Sequence, residues 1–326
     1  MTKLLDENRV LLLGGLRAAL AGSSSLARIV RQHVGIEDET GKPTDSVGKL
    51  LRPSLVLFVA QECGARVEDA LPAAVALELV HNFSLVHDDI QDQDRTRRGR
   101  PTLWAVHGEA EAINAGDYLC AVAFREATQS RGAAACIAAA TMEMIEGQSL
   151  DLSYESRFVS IEQYLAMIDR KTGALLRCAL ELGGLAADVA DDVRGSLRDL
   201  GLALGRAFQI RDDALGIWGD GAVVGKPQGS DVRRRKKSFP IVWSYARAGA
   251  GEKEKVESAY SGKVIGDPDV AWVIGLMERL GAPGATDAAV RQNLAAATTT
   301  LDRLPFSSSG RTEMNHLIDY LAGRTK

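Results

Sequence analysis

The sequence predicts an all-α fold: a single-domain, layered helical bundle around a central cavity. Three observations carry this. Ala and Leu recur at the three- and four-residue spacing of a buried helix face. Aromatic residues make up 5% of the chain, low for an all-β protein, and strand-like alternation is scarce. Several segments are apolar on more than one face, as in Leu71-Pro72-Ala73-Ala74-Val75-Ala76-Leu77, which belongs inside a layered bundle. The 326 residues are 46% hydrophobic and carry no Pro/Ser-rich linker or long charge block, so 1–326 reads as one domain.

Taken in order, the periodicity predicts helices over about 3–21, 24–35, 49–63, 68–92, 111–128, 132–150, 161–184, 188–219, 236–248, 252–260, 268–280, 287–303 and 311–323. Caps mark several starts. Ser160 with Gln163 forms a capping box. Asp267 precedes the first-turn proline Pro268. Thr286 stands before Asp287 and an Ala-rich run. The Gly-rich stretch 219–230 reads as a mobile loop able to act as a lid.

Charge and cysteine usage narrow the function classes. A net charge of -4 argues against an overall basic nucleic-acid binder. The four cysteines, Cys63, Cys120, Cys136 and Cys178, show no CxxC pairing and read as buried thiols in a reducing compartment. The N-terminus carries Asp6 and Glu7 at once, unlike a signal peptide. No apolar run approaches the ~20 residues needed to span a bilayer. A soluble, cytoplasmic protein is expected.

Two aspartate clusters hold the chemistry. The first, Asp88-Asp89-Ile90-Gln91-Asp92, follows a mostly apolar helix. On a helix, spacings of three and four residues bring Asp88, Asp89 and Asp92 near one face, within reach of shared ions. The second is Asp212-Asp213 in Phe208-Gln209-Ile210-Arg211-Asp212-Asp213. Each is followed by a basic run. Mg²⁺ takes a few carboxylates together with water and substrate phosphate, so the pattern suits a metal-clamped diphosphate. A solvated acidic helix end is the plainer alternative, but a helix leading three carboxylates out of a core points to a cavity. An EF-hand does not fit, because the D-x-[DN]-x-[DN]-G order and terminal Glu are missing. A histidine–aspartate metal hydrolase would need further ligands, and His33, His107 and His316 have no matching context.

The stretch Glu78 to Asp92, continuing to Arg97-Arg98-Gly99-Arg100-Pro101-Thr102, resembles the first aspartate-rich region of the trans-isoprenyl diphosphate synthases (polyprenyl synthetases), whose motif is DDxxD followed by RRG.PT. The resemblance runs in order from about residue 45 to 324 and implies the isoprenoid-synthase bundle. Gly48-Lys49-Leu50-Leu51-Arg52-Pro53 resembles GKR.RP, with Leu50 for the usual Arg. The family's ligands of isopentenyl diphosphate fall on Lys49, Arg52, His81 and Arg98, and Arg97 matches a ligand of the allylic diphosphate. Asn114 to Leu119 resembles the GDyL helix and Gly147 to Leu152 the GQ..DL element, with Gly116 and Gly147 read as close helix contacts. Lys171-Thr172 resembles the KT pair, Lys on the allylic diphosphate and Thr facing the reacting carbons. Lys226 matches the lysine of GK..GsD, and Lys236 the lysine before TLP. Arg324 resembles a terminal basic residue that closes over isopentenyl diphosphate. One departure stands out: Gly216 occupies the third aspartate position of the second motif. Metal contact is then expected chiefly from Asp212, with Asp213 beside it.

The resemblance implies a Mg²⁺-dependent head-to-tail condensation of isopentenyl diphosphate with an allylic prenyl diphosphate, with three ions, by a homodimer. The clusters are expected to face each other across the bundle. Lys171, Lys226 and Arg97 would stabilise the leaving diphosphate, and Thr172 and Gln209 the allylic cation. Chain length should depend on the pocket floor four and five residues before Asp88, at Ser84 and Phe83, roughly 6–7.5 Å deeper. One aromatic there, with no insertion in DDxxD, resembles geranylgeranyl synthases and implies a C20 product, with C15 or longer products as alternatives. A terpene cyclase of the same fold could dispense with Lys49, Arg52 and His81. A non-catalytic partner subunit is suggested only by Gly216, and a nucleic-acid patch only by the run Arg233 to Lys237.

Overall fold

The fold is seen in a computed structural model that describes residues 3–97, 99–219, 228–262 and 265–323. It is all-α, 76% helical. Among the described residues, strands are confined to a hairpin of β1 (Thr96–Arg97) and β2 (Arg100–Pro101). The helices are α1 (Lys3–Asp6), α2 (Arg9–Ala19), α3 (Ser25–Val34), α4 (Leu51–Glu62), α5 (Val67–Gln91), α6 (Leu103–His107), α7 (Glu109–Ala127), α8 (Ala133–Tyr154) and α9 (Ile161–Ile168). A π-helical turn, Asp169–Gly173, follows. Then come α10 (Ala174–Ala186), α11 (Asp191–Trp218), α12 (Ser230–Arg233), α13 (Phe239–Arg247), α14 (Ala250–Ser261), α15 (Asp267–Leu280), α16 (Ala282–Leu301) and α17 (Ser308–Ala322).

The chain divides into two compact units. One comprises Met1–Thr141, Leu175–Arg198 and Arg303–Met314; the other comprises Met142–Ala174, Asp199–Asp302 and Asn315–Lys326. The first is built around α5, which packs against α2, α4 and α7. Because α5 is covered from several sides, it is apolar on several sides: Val75, Leu77, Leu79, Val80 and Val86 are all buried. Against the expectation that no apolar run approaches the span of a bilayer, α5 is long and apolar enough to cross a membrane, but 67% of its most apolar stretch is buried inside the protein. Glycine lets α7 approach α5: a Cβ on Gly116 would lie 2.3 Å from His87 Nε2. In the second unit α13 is the hub, packing against α9, α15 and α16.

Most predicted helices are present, and the departures have local causes. The expected helix 3–21 breaks between α1 and α2, where Asn8 caps α2 in a non-helical conformation; Asn competes for local backbone hydrogen bonds and disfavours helix interiors. Ser160 makes the expected capping box with Gln163. Thr286 is not a cap. Helix α16 starts earlier, after Gly281 with Pro283 in its first turn, and the Thr286 hydroxyl donates back to the Ala282 carbonyl at 2.7 Å. The segment 161–184 is not one α-helix, since the π turn interrupts it at Asp169–Gly173. The expected lid loop falls largely on 220–227, outside the described residues.

Candidate active site

The first unit presents its aspartates at the end of α5. His81, Ser84 and Asp88 share one helix face at i, i+3 and i+7. Asp92 stands just past the helix, its N–H bonded to the Asp88 carbonyl at 2.8 Å. Asp89 is turned inward, only 1% exposed. Its Oδ1 accepts from Arg97 Nε at 2.7 Å, while its buried Oδ2 accepts no hydrogen bond. Burial raises the Asp89 carboxyl and Arg97 opposes that shift. The hairpin supplies the arginine. Thr96 pairs with Pro101 and Arg97 with Arg100, and Thr102 Oγ1 and Trp104 Nε1 both donate to the Asp94 carbonyl at 2.7 Å. Arg98 lies outside the described residues.

Upstream, the turn into α4 carries Lys49, exposed, and Arg52, half-buried in the first helical turn. Between them Leu50 is buried at 3% exposure with φ of 52°. A non-glycine residue held in that region is strained, and burial of the leucine side chain offsets the strain. Phe83 is buried and meets His87 edge-on, with centroids 4.8 Å apart. Ser84 Oγ donates to the His81 carbonyl at 2.8 Å. A cavity of about 940 Å³ lies beside the cluster in the same unit. It is reached by Asn82, Leu85 and Asp89, the α5 face adjacent to that of His81, and closed by α3, the hairpin and α6.

The second unit holds a continuous hydrogen-bond chain. Thr172 Oγ1 donates to Gln209 Oε1 at 2.7 Å, and Gln209 Nε2 donates to Asp213 Oδ1 at 2.9 Å. Asp213 Oδ2 accepts from the Tyr164 hydroxyl at 2.6 Å and from the Phe239 backbone N–H at 2.7 Å. Burial pushes the Asp213 carboxyl up to about 7, with a contribution from Asp231, while these donors pull it back. Asp212, the residue before it, is exposed. The π turn carries Lys171 and Thr172, and Lys171 pairs with Asp151. A Cβ on Gly147 would lie 2.2 Å from the Lys171 backbone nitrogen, so glycine is what lets α8 and the π turn touch. Such turns widen the helix by one residue and recur at functional positions.

The basic run 233–237 does not form one face. Arg233 pairs with Asp267, and Arg235 donates to the Gly262 carbonyl at 2.8 Å. Lys236 is half-buried. Lys237 is buried, donating to the Glu155 and Arg235 carbonyls at 3.0 and 3.2 Å, with the Phe158 and Tyr260 rings 4.9 and 4.7 Å away. Burial lowers it to about 8. Lys226 and Arg324 lie outside the described residues.

Sequence reasoning missed Tyr164 and gave Asp151 no role, although Asp151 sits within the quoted GQ..DL element. Asp89 and Asp213 are buried and held by protein donors; Asp88 and Asp92 are half-buried and Asp212 is exposed. Among the described residues no three His, Cys, Asp or Glu side chains converge on one ion position. The accessible donors are all hard oxygens, in small number. That fits Mg²⁺, which keeps several waters and is held largely through substrate phosphate. The orphaned, buried Asp89 Oδ2 also fits a neighbouring cation.

Comparison with known proteins gives a consistent answer. The polyprenyl synthetase family profile matches residues 37–277. A (2E,6E)-farnesyl diphosphate synthase of Mycobacterium tuberculosis is 37% identical over 306 residues, covering 91% of this chain and 85% of that protein. A geranylgeranyl diphosphate synthase of the same organism is 41% identical over 236 residues, covering 69% and 67%. The crystal structure of a polyprenyl synthetase from Streptomyces coelicolor A3(2) superposes with a TM-score of 0.87 at 36% identity, covering 98% of each chain.

Proposed function

The chain belongs to the polyprenyl synthetase family, and on that premise we propose that it is the prenyltransferase that condenses isopentenyl diphosphate head-to-tail with an allylic diphosphate to make geranylgeranyl diphosphate (C20). The C20 length is supported by Phe83, a single buried aromatic five positions before Asp88 with the small Ser84 next to it. Farnesyl (C15) and longer products are the alternatives.

The roles follow from the residues. Lys49, Arg52, His81 and Arg98 hold isopentenyl diphosphate by charge-assisted hydrogen bonds. Lys171, Lys226, Lys236 and Arg97 take the allylic diphosphate; Arg97 leaves its pairing with Asp89 to do so. Asp88, Asp92 and Asp212 hold Mg²⁺, three ions in all, with Asp89 and Asp213 behind them. When bound, Mg²⁺ supplies the charge that stabilises the departing diphosphate. Thr172 directs its proton to Gln209 and so keeps a lone pair of Oγ1 for the allylic cation. The released diphosphate accepts the final proton, and no protein nucleophile is needed. The whole chain, 1–326, is read as one prenyl diphosphate synthase domain.

Incubation with Mg²⁺, isopentenyl diphosphate and each allylic diphosphate, followed by product sizing, tests this. A linear C20 diphosphate is expected. A cyclised product from the allylic substrate alone, or no product, overturns the reading. Phe83→Ala is expected to shift the products beyond C20, and an unchanged spectrum removes Phe83 from the pocket floor.

The active form is a homodimer, working in solution in the cytoplasm, with no nucleic-acid partner. Helix α8 supports the dimer by exposing Met142 (65%), Ile145 (50%) and Leu152 (36%). An isolated soluble helix rarely leaves such an apolar stripe uncovered. Ile145→Glu is expected to convert dimer to monomer in light scattering. A wild-type mass equal to one chain at micromolar concentration would refute it.

A further inference from the structure

Cys136, near the start of α8, and Cys178, in α10, belong to the same compact unit. Their sulfurs lie 3.6 Å apart. Neither thiol has a part in the condensation. They differ in access: Cys178 is 2% exposed, while Cys136 is half-buried. The contact with Cys136, together with burial, holds the Cys178 thiol in its protonated form. The remaining thiols, Cys63 and Cys120, are raised by burial, Cys63 to about 11, and are poor nucleophiles at neutral pH.

We propose that Cys136 and Cys178 form a peroxide-responsive dithiol that closes reversibly to a disulfide between α8 and α10. Cys136, the reachable sulfur, gives its electron pair to one oxygen of a hydroperoxide. The O–O bond breaks, water leaves when the oxidant is hydrogen peroxide, and a sulfenic acid remains. The Cys178 sulfur then attacks the oxidised sulfur, the S–O bond breaks, and the hydroxyl leaves as water with the Cys178 proton. Two thiols and one hydrogen peroxide become one disulfide and two waters, the sulfur pair losing two electrons.

The geometry is suited to this. A disulfide needs sulfurs about 2.05 Å apart, so the pair must close by roughly 1.5 Å, within the 1–2 Å of a small helix shift. The sequence separation of 42 residues means that the bond closes a long loop. Such a loop restrains the unfolded chain strongly. That loop carries Asp151, Lys171 and Thr172.

The test uses the reduced full-length protein and stoichiometric hydrogen peroxide. Free thiols, counted after denaturation, are expected to fall from four to two. The intact mass should drop by two hydrogens, and a single cross-linked peptide should join Cys136 to Cys178. The unfolding midpoint is expected to rise by roughly 5 °C, and reductant should reverse every change. Cys136→Ser, a change at the half-buried position, should fold as wild type and lose the cross-link and the midpoint shift. Four persisting thiols, a cross-link through Cys63 or Cys120, or an oxygen adduct on Cys136 without cross-linking would each overturn the proposal.

Discussion

Asp88→Ala is expected to lower turnover by about 10²–10³-fold, the scale at which removing one group that stabilises transition-state charge acts, without unfolding the protein. Asp212→Ala should do the same. Asp212 is exposed and Asp88 half-buried, and changes at exposed positions usually stay within about 0.5 kcal/mol of neutral. Removing Asp88 also relieves its repulsion of the buried Asp89 carboxylate. Asp213→Ala forms the contrast. It strands the Tyr164 hydroxyl and the Phe239 N–H in a buried site, at about 1–3 kcal/mol for each unpaired group. It should therefore lose stability as well as activity. Steady-state turnover and thermal unfolding on the three variants separate the classes. Full activity in Asp88→Ala or Asp212→Ala would remove those residues from metal binding.

That contrast also marks where the sequence was legible. Apolar periodicity placed α5 within a residue of its observed ends, 68–92 against Val67–Gln91, because a helix buried on several sides writes its burial into composition. The Ser160 box was readable because it states a local hydrogen-bonding requirement, and the contact glycines Gly116 and Gly147 because they stand in motifs that resemble the family's. The π turn at Asp169–Gly173 was not, since a shift from i+4 to i+5 bonding leaves no period of its own in five residues. Nor was the inward turn of Asp89. One residue advances a helix by about 100°, so Asp88 and Asp89 meet different surroundings, and only the distant hairpin that brings Arg97 decides which. The Tyr164–Asp213 bond joins residues 49 apart, beyond any local signal.

Gly216→Asp would complete the second motif on paper, yet it is expected to weaken the protein. A Cβ at position 216 would lie 2.2 Å from Asp231 Oδ2, 2.4 Å from its Cγ and 2.8 Å from its Oδ1. Asp231 cannot swing clear into solvent, because it is only 8% exposed and its helix is docked onto this stretch of α11. Gly229 N–H bonds the Ile217 carbonyl at 3.1 Å, and Ser230 Oγ bonds the Gly216 carbonyl at 3.2 Å. Overpacking of this kind costs about 1–3 kcal/mol. The new carboxylate adds a like charge beside Asp231, which already raises Asp213. The unfolding midpoint should fall by several degrees and turnover should drop. Gly216→Ala carries the steric part without the charge and should fall less far. Adding Asp231→Ala to Gly216→Asp removes the colliding atoms and should restore the midpoint toward wild type. If Gly216→Asp were instead as stable as wild type and more active, the room at 216 would not belong to Asp231, and glycine there would be a simple loss of a ligand. Thermal unfolding and product formation measured on the three variants decide between these, since only the steric reading predicts that a second substitution rescues the first.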